Sequence, residues 1–378
     1  MLTSDVKLIS VDDHVVEPRH LWQTHLPAKY REQGPRVVRP DGGPDEYWEW
    51  EGRRYPVALM GSPITRVFRT DGSGDDFMSR SFDDMIPACY DVNARVAAMD
   101  IDGVQAGLNF PHWPRFAGTR FLEATDWDLA SACIRAWNDW MLDEWCAAQP
   151  LRFIPMTMIQ LWDPVLAAEE MRRCAAKGAK SVTMCESPSS LGLPSWWGTH
   201  WDPVFAAAEE TGLVLSTHIG TGGSLWSPSP ESPEAVQISL CGVNSMGAMV
   251  DLMYCGILQR HPKVRIALSE GGSGWVPYLV ERTQYTWERT RLGVDKSISP
   301  IELFRRHFWT CFIADDTAIA LRDLIGIDKL MWEGDFPHND SQYPHSRTML
   351  EKSMVNVPDH EAKMIAETNA RNLYDFWP

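Results

Sequence analysis

The sequence predicts an α/β fold, a (β/α)8 TIM barrel with an inserted hairpin and loop after its first strand. Three observations carry this. Eight short β-rich runs recur along the 378 residues, with helical patterns in the gaps after the first of them. The runs are mostly continuously apolar, as strands covered on both faces should be. Polar, titratable residues keep appearing where these runs stop, which is the end of a parallel barrel that carries chemistry.

The runs lie at 7–11, 105–110, 152–159, 180–185, 213–218, 264–270, 307–312 and 330–335. Helical patterns at 122–148, 163–177, 202–210, 243–260, 277–291 and 314–325 lie between the later ones, and 358–375 reads as a closing helix. Strand, helix, strand in series means parallel pairing with helical crossovers. Eight such strands favour closure over an open sheet. No G-x-G-x-x-G follows the first strand, so a dinucleotide fold lacks support. The whole chain, 1–378, is expected to be one barrel domain, with 34–92 as an inserted excursion. Within it, EYWEWEGRRYPV predicts a hairpin turning near Glu51 and Gly52. A second excursion, 186–201, holds Trp196, Trp197 and Trp201 and could cover a pocket.

Apolar residues make up 44% of the chain, enough for one large core, and the net charge is −16. That charge argues against nucleic acid and anionic membrane surfaces as partners, because both need a basic face. An anionic substrate would have to be drawn by local arginines or a metal. No apolar run approaches the ~20 residues of a membrane span. The N-terminus shows no signal-peptide pattern, so a cytoplasmic location is expected. The eight cysteines form no C-x-x-C pair and read as buried free thiols.

Asp12, Asp13, His14 and Glu17 end the first run, and Asn109 and His112 follow the second. His218 ends the fifth run and Glu270 the sixth; Glu333, Asp335 and His338 stand at the eighth. The two-residue strand period puts Asp12 and His14 on one face, where they can share a cation. His218 would add a nitrogen from across the mouth. Asp335 could bind the ion, or act as general acid/base. Imidazole with carboxylate suits Zn²⁺, and also Mn²⁺ or Fe²⁺. A lone His at a strand end is usually a core or capping residue, so it is the joint pattern that points to a metal. Glu17 reads as structural, and Arg66, Arg69 and Arg80 as loop charges that could clamp an anion.

At these residues the chain resembles the amidohydrolase superfamily, in the branch of the aminocarboxymuconate-semialdehyde and γ-resorcylate-type decarboxylases. ISVDDHVVEP, WDPVFAAAEETGLVLSTHIG, HPKVRIALSEGGSGWVPYLVERTQ and LMWEGDFPH carry the likeness, which spans about 7–375. The resemblance implies a metal-dependent enzyme with Asp12, His14, His218 and Asp335 as ligands of one divalent ion, zinc first and manganese as the alternative. It implies Asp335 as proton shuttle, Arg282 as a binder of substrate carboxylate, and a homodimer or larger assembly. One departure stands out: relatives usually carry His after strand six, where this chain has Glu270. Glu270 and His218 are therefore taken with Asp335 as catalytic candidates, and His112 and His338 with Arg282 as substrate-binding ones.

The reaction this reading favours is non-oxidative decarboxylation of an aromatic or unsaturated carboxylic acid. The first alternative is hydrolysis of a C–N, C–O or activated C–C bond by metal-activated water. The second is a barrel that binds a ligand without chemistry.

Overall fold

A computed structural model describes residues 2–57 and 80–377. Arg66, Arg69 and the loop 68–76 lie outside them.

All eight expected barrel strands are present: Leu8–Val15, Val104–Pro111, Phe153–Thr157 broken at Pro155, Ser181–Met184, Val214–His218, Ile266–Ser269, Phe308–Phe312 and Leu330–Trp332. They are strands one to eight below. Neighbours pair in parallel in chain order. Pro155 has no N–H to give the ladder, so strand three divides there into two short pieces. Strands one and eight meet just past strand eight. Asp335 N–H donates to Asp12 O at 2.7 Å, and His14 N–H to Phe336 O at 2.7 Å. Two proposed metal ligands are thus fixed by the seam of the barrel.

Strand one is buried along its whole length. Between Ser10 and Asp13 it carries one residue more than strand two does between Gly107 and Asn109. This bulge bends the strand where the chemistry begins. Gly107 leaves room for it, because a Cβ there would overlap Asp13 Oδ2. On the outer side, Asn138 holds the turn after strand three. It accepts from Met158 N–H at 2.8 Å and donates to Met158 O at 3.0 Å and Glu170 Oε1 at 2.8 Å.

The expected hairpin forms from Tyr47–Trp50 and Arg53–Pro56. Glu51 and Gly52 turn with φ of 46° and 73°, the positive pair of a type I′ turn. A third strand, Arg36–Val38, was not anticipated. The hairpin buries Trp48 and Trp50 against Trp22 and Trp113. The hairpin is therefore packed onto the loop after strand two, beside His112. The loop at 186–201 is fastened by Trp196 and Trp201, both buried, with rings 5.5 Å apart. All eight cysteines are free, and seven are buried. No helix among the described residues is long and apolar enough to cross a membrane.

Candidate metal centre and active site

The polar strand ends converge on His14. Its Nε2 lies 3.5 Å from Asp12 Oδ1, 3.2 Å from Asp335 Oδ1 and 3.2 Å from His218 Nε2. His218 Nε2 is 3.4 Å from Asp12 Oδ2 and 3.0 Å from Glu270 Oε2. His338 stacks on His14 at 3.7 Å, and its Nδ1 sits 3.3 Å from Asp335 Oδ1. Two overlapping ligand sets result: Asp12, His14 and His218, and His14, Glu270, Asp335 and His338. Strands one, five, six and eight each contribute, as the sequence pattern implied.

Backbone geometry aims these side chains. Glu270 and Asp335 adopt left-handed φ of 59° and 52°. Such conformations cost non-glycine residues roughly 1–3 kcal/mol and persist only where neighbours fix them. Asp335 is fixed by its N–H bond to Asp12 O. Glu270 is fixed by Glu333, whose Oε2 accepts the Glu270 N–H at 3.2 Å. His218 Nδ1 donates to Ile219 O at 2.7 Å, which turns Nε2 toward the centre.

The electrostatics are those of a dry acidic pocket. Burial, then the charges of Glu270 and Asp12, drive the Asp335 carboxyl well above the usual range. Burial does the same to Asp12, against the pull of His218. Burial takes Glu333 up to about 7. His14 is pushed well down by burial and by its histidine neighbours, His338 to about 4 and His112 to about 3, chiefly by burial. His218 runs the other way. Burial lowers it, but Asp12 and Glu270 together lift it to about 10. Glu270 is lowered by its bond to His218, which with the other charges nearby outweighs burial.

These residues fit a divalent cation. Both carboxylate oxygens of Asp12 and of Asp335 are buried without any hydrogen-bond donor. Anionic oxygens left unpaired in the interior are costly unless a proton or a metal compensates them. Carboxylates and imidazoles meeting in two groups that share His14 are a donor set for such an ion.

A family model for amidohydrolases matches residues 23–376. The chain belongs to the amidohydrolase family. Among its curated relatives, the γ-resorcylate decarboxylase of a Polaromonas species is 23% identical over 303 residues, covering 74% of this chain and 86% of that one. Among solved structures, an amidohydrolase from Mycobacterium avium superposes with a TM-score of 0.74 at 23% identity, covering 98% of this chain and 100% of the other. The 5-carboxyvanillate decarboxylase of Sphingomonas paucimobilis gives 0.65 at 20% identity, with 99% and 100% covered. A dihydroxybenzoic acid decarboxylase from Polaromonas, solved with manganese and 2-nitroresorcinol, gives 0.62 at 17% identity, with 98% and 97% covered. The expected barrel and family both stand.

Not every anticipated residue reaches the centre. Arg282 does not: it is exposed on the helix Val276–Arg289, with its guanidinium 5.6 Å from the Tyr285 ring. Its place on the outer face of the helix explains this, since the spacing that put an Arg after strand six did not fix which way it points. Arg80 pairs with Asp45 at 2.6 Å in the excursion. Glu17 is structural: it accepts from His112 N–H, Trp113 N–H and Trp137 Nε1 at 3.1, 2.8 and 2.9 Å. His112 is thereby held with both ring nitrogens buried and without a hydrogen-bond partner, 6.0 Å ring to ring from His338.

Two residues were missed. Phe116 packs on His14 at 4.5 Å and His218 at 4.4 Å. No local pattern marks it, because it comes from the loop after strand two. Glu333 was visible as a strand-end carboxylate, but only the left-handed turn at Glu270 reveals its use.

Proposed function

We propose that this amidohydrolase decarboxylates an aromatic or unsaturated carboxylic acid, with Asp335 as the proton carrier. One observation carries the reading. Asp335 is a fully buried carboxyl placed against His14 and His338 at the mouth of the barrel. A carboxyl in contact with two imidazoles at the strand ends is placed to carry a proton to carbon. The decarboxylase names of the relatives agree with it.

Asp12, His14, His218 and Asp335 would hold one divalent ion, zinc or manganese, and manganese is the ion found with the Polaromonas relative. When bound, the ion supplies positive charge to substrate oxygens as electron density builds on the neighbouring carbon. The chain's own residues do the rest. His112 offers two free nitrogens to orient the substrate. As the C–C bond to the carboxylate breaks, CO2 leaves, the electron pair stays on carbon, and Asp335 delivers its proton there. His338, held neutral beside it, orients the carboxyl across their 3.3 Å contact, and Asp335 takes its next proton from water as the product leaves. Glu270 steadies His218 through their 3.0 Å contact.

The test is a screen of hydroxybenzoic and unsaturated acids for CO2 release by manganese- and zinc-loaded protein, with Asp335→Asn alongside. Release by the wild type, lost in the variant, is expected. Turnover of amide or ester substrates with no CO2 from any acid would replace this reading with metal-assisted hydrolysis.

A further inference from the structure

Beside the metal centre, at the ends of strands four and five, the described residues enclose a cleft of about 530 Å³. Glu186, Ser187, Gly222, Trp226, Asn244 and Asp251 are among its lining residues, and no Lys, Arg or His is. That volume is within the range of small-molecule sites.

Glu186 forms its floor and is 3% exposed. One side of its carboxylate is prepared: Oε1 accepts from Asn244 Nδ2 at 2.8 Å and from Gly222 N–H at 3.2 Å. The other side is not, since Oε2 is buried with no partner. A buried carboxylate oxygen without a donor is destabilising, so it marks a place where a donor is missing. Gly222 lets its N–H come this close, because a Cβ there would lie 3.3 Å from Glu186 Oε1 and 3.2 Å from Ser187 Cβ. Trp226 is half exposed on the same cleft, and its backbone N–H donates to Asn244 Oδ1 at 3.0 Å, which orients the amide that holds Glu186.

One residue ties the backbone of Glu186 to that of His218. The Thr221 hydroxyl donates to His218 O at 2.6 Å and accepts the Glu186 N–H at 3.0 Å. Glu186 is thereby set next to the turn that carries His218.

We propose that Glu186 is a specificity residue: it receives a hydrogen-bond donor, best a protonated amine, on the end of the substrate remote from its carboxylate. The two ends of the site are then complementary in charge. The metal side takes the anion; the cleft, with Glu186 and Asp251 and no base, takes the cation. This rests on the carboxylic-acid reading above and adds the chemistry of the far end.

The experiment uses two probes of nearly equal shape, 4-(aminomethyl)benzoate and 4-ethylbenzoate, titrated calorimetrically into manganese-loaded protein. Wild type should bind the amine at least tenfold tighter, and Glu186→Gln should abolish that preference while keeping its metal content. The wild-type comparison needs no variant, so it stands even if Glu186→Gln folds poorly. Equal affinities, binding of neither probe, or a preference unchanged in Glu186→Gln would overturn the proposal. The predicted preference without CO2 release from any acid would sink the decarboxylase reading and leave the subsite intact. CO2 release without the preference would do the reverse.

Discussion

Replacing Asp335 by Asn should flatten the pH dependence of stability in metal-stripped protein. Asp335 is fully buried among Asp12, Glu270 and Glu333, and burial with these charges raises its pKa well above the usual value. An unfolded Asp releases its proton near pH 3.9. Between that value and the raised one, the folded chain holds a proton that the unfolded chain has lost. Stability then falls as pH rises, by about 1.4 kcal/mol per pH unit for each such proton. That slope is an upper bound for Asp335, because the carboxyls share their protons. The amide of the variant has no proton to hold, so Asp335→Asn loses its share of the slope while Asp12 and Glu333 keep theirs. Urea unfolding of both proteins in chelator at pH 5, 6 and 7 measures it. Adding Mn²⁺ should then stabilise the wild type more at pH 7 than at pH 5, because ligands must shed protons to bind. Parallel pH slopes for wild type and Asp335→Asn would refute the assignment of Asp335 as a proton-holding group.

Glu270→Gln should fold normally and lower kcat about 100-fold or more on whichever acid is turned over. The contact with His218 would weaken while the buried shape is kept; an unchanged kcat would assign Glu270 to architecture. Asn138→Ala should cost roughly 3 kcal/mol, read from urea midpoints, because it strands both backbone groups of Met158 and removes a donor from Glu170 in the core.

The barrel was legible because its strands are continuous apolar runs ended by Gly, Pro or charge, and the metal cluster because four such ends carried ligand types. The short helix Pro300–His307 was passed over although Ser299, Pro300 and Glu302 mark its start. Its Ser299 Oγ accepts the Glu302 N–H at 3.2 Å, a capping signal outweighed by the lack of several apolar turns. The helices Glu234–Ser239 and Ser346–Ser353 escaped for the same reason. The site's finer parts were hidden differently. Period-two spacing placed Asp12 and His14 together but could not show the bulge that shapes their strand. The positions of Arg282, Phe116 and Glu333 depend on which way a helix faces, how a loop folds back, and a left-handed turn. Those are tertiary facts that no window of sequence contains.

The central claim is that Asp12, His14, His218 and Asp335 hold one divalent ion. Elemental analysis of protein loaded with Mn²⁺ or Zn²⁺ and freed of excess, wild type beside His218→Ala, tests it most directly. The account predicts about one ion per chain in the wild type and a loss of most of it in the variant. A wild type that retains none, or a variant that retains as much as the wild type, would contradict it.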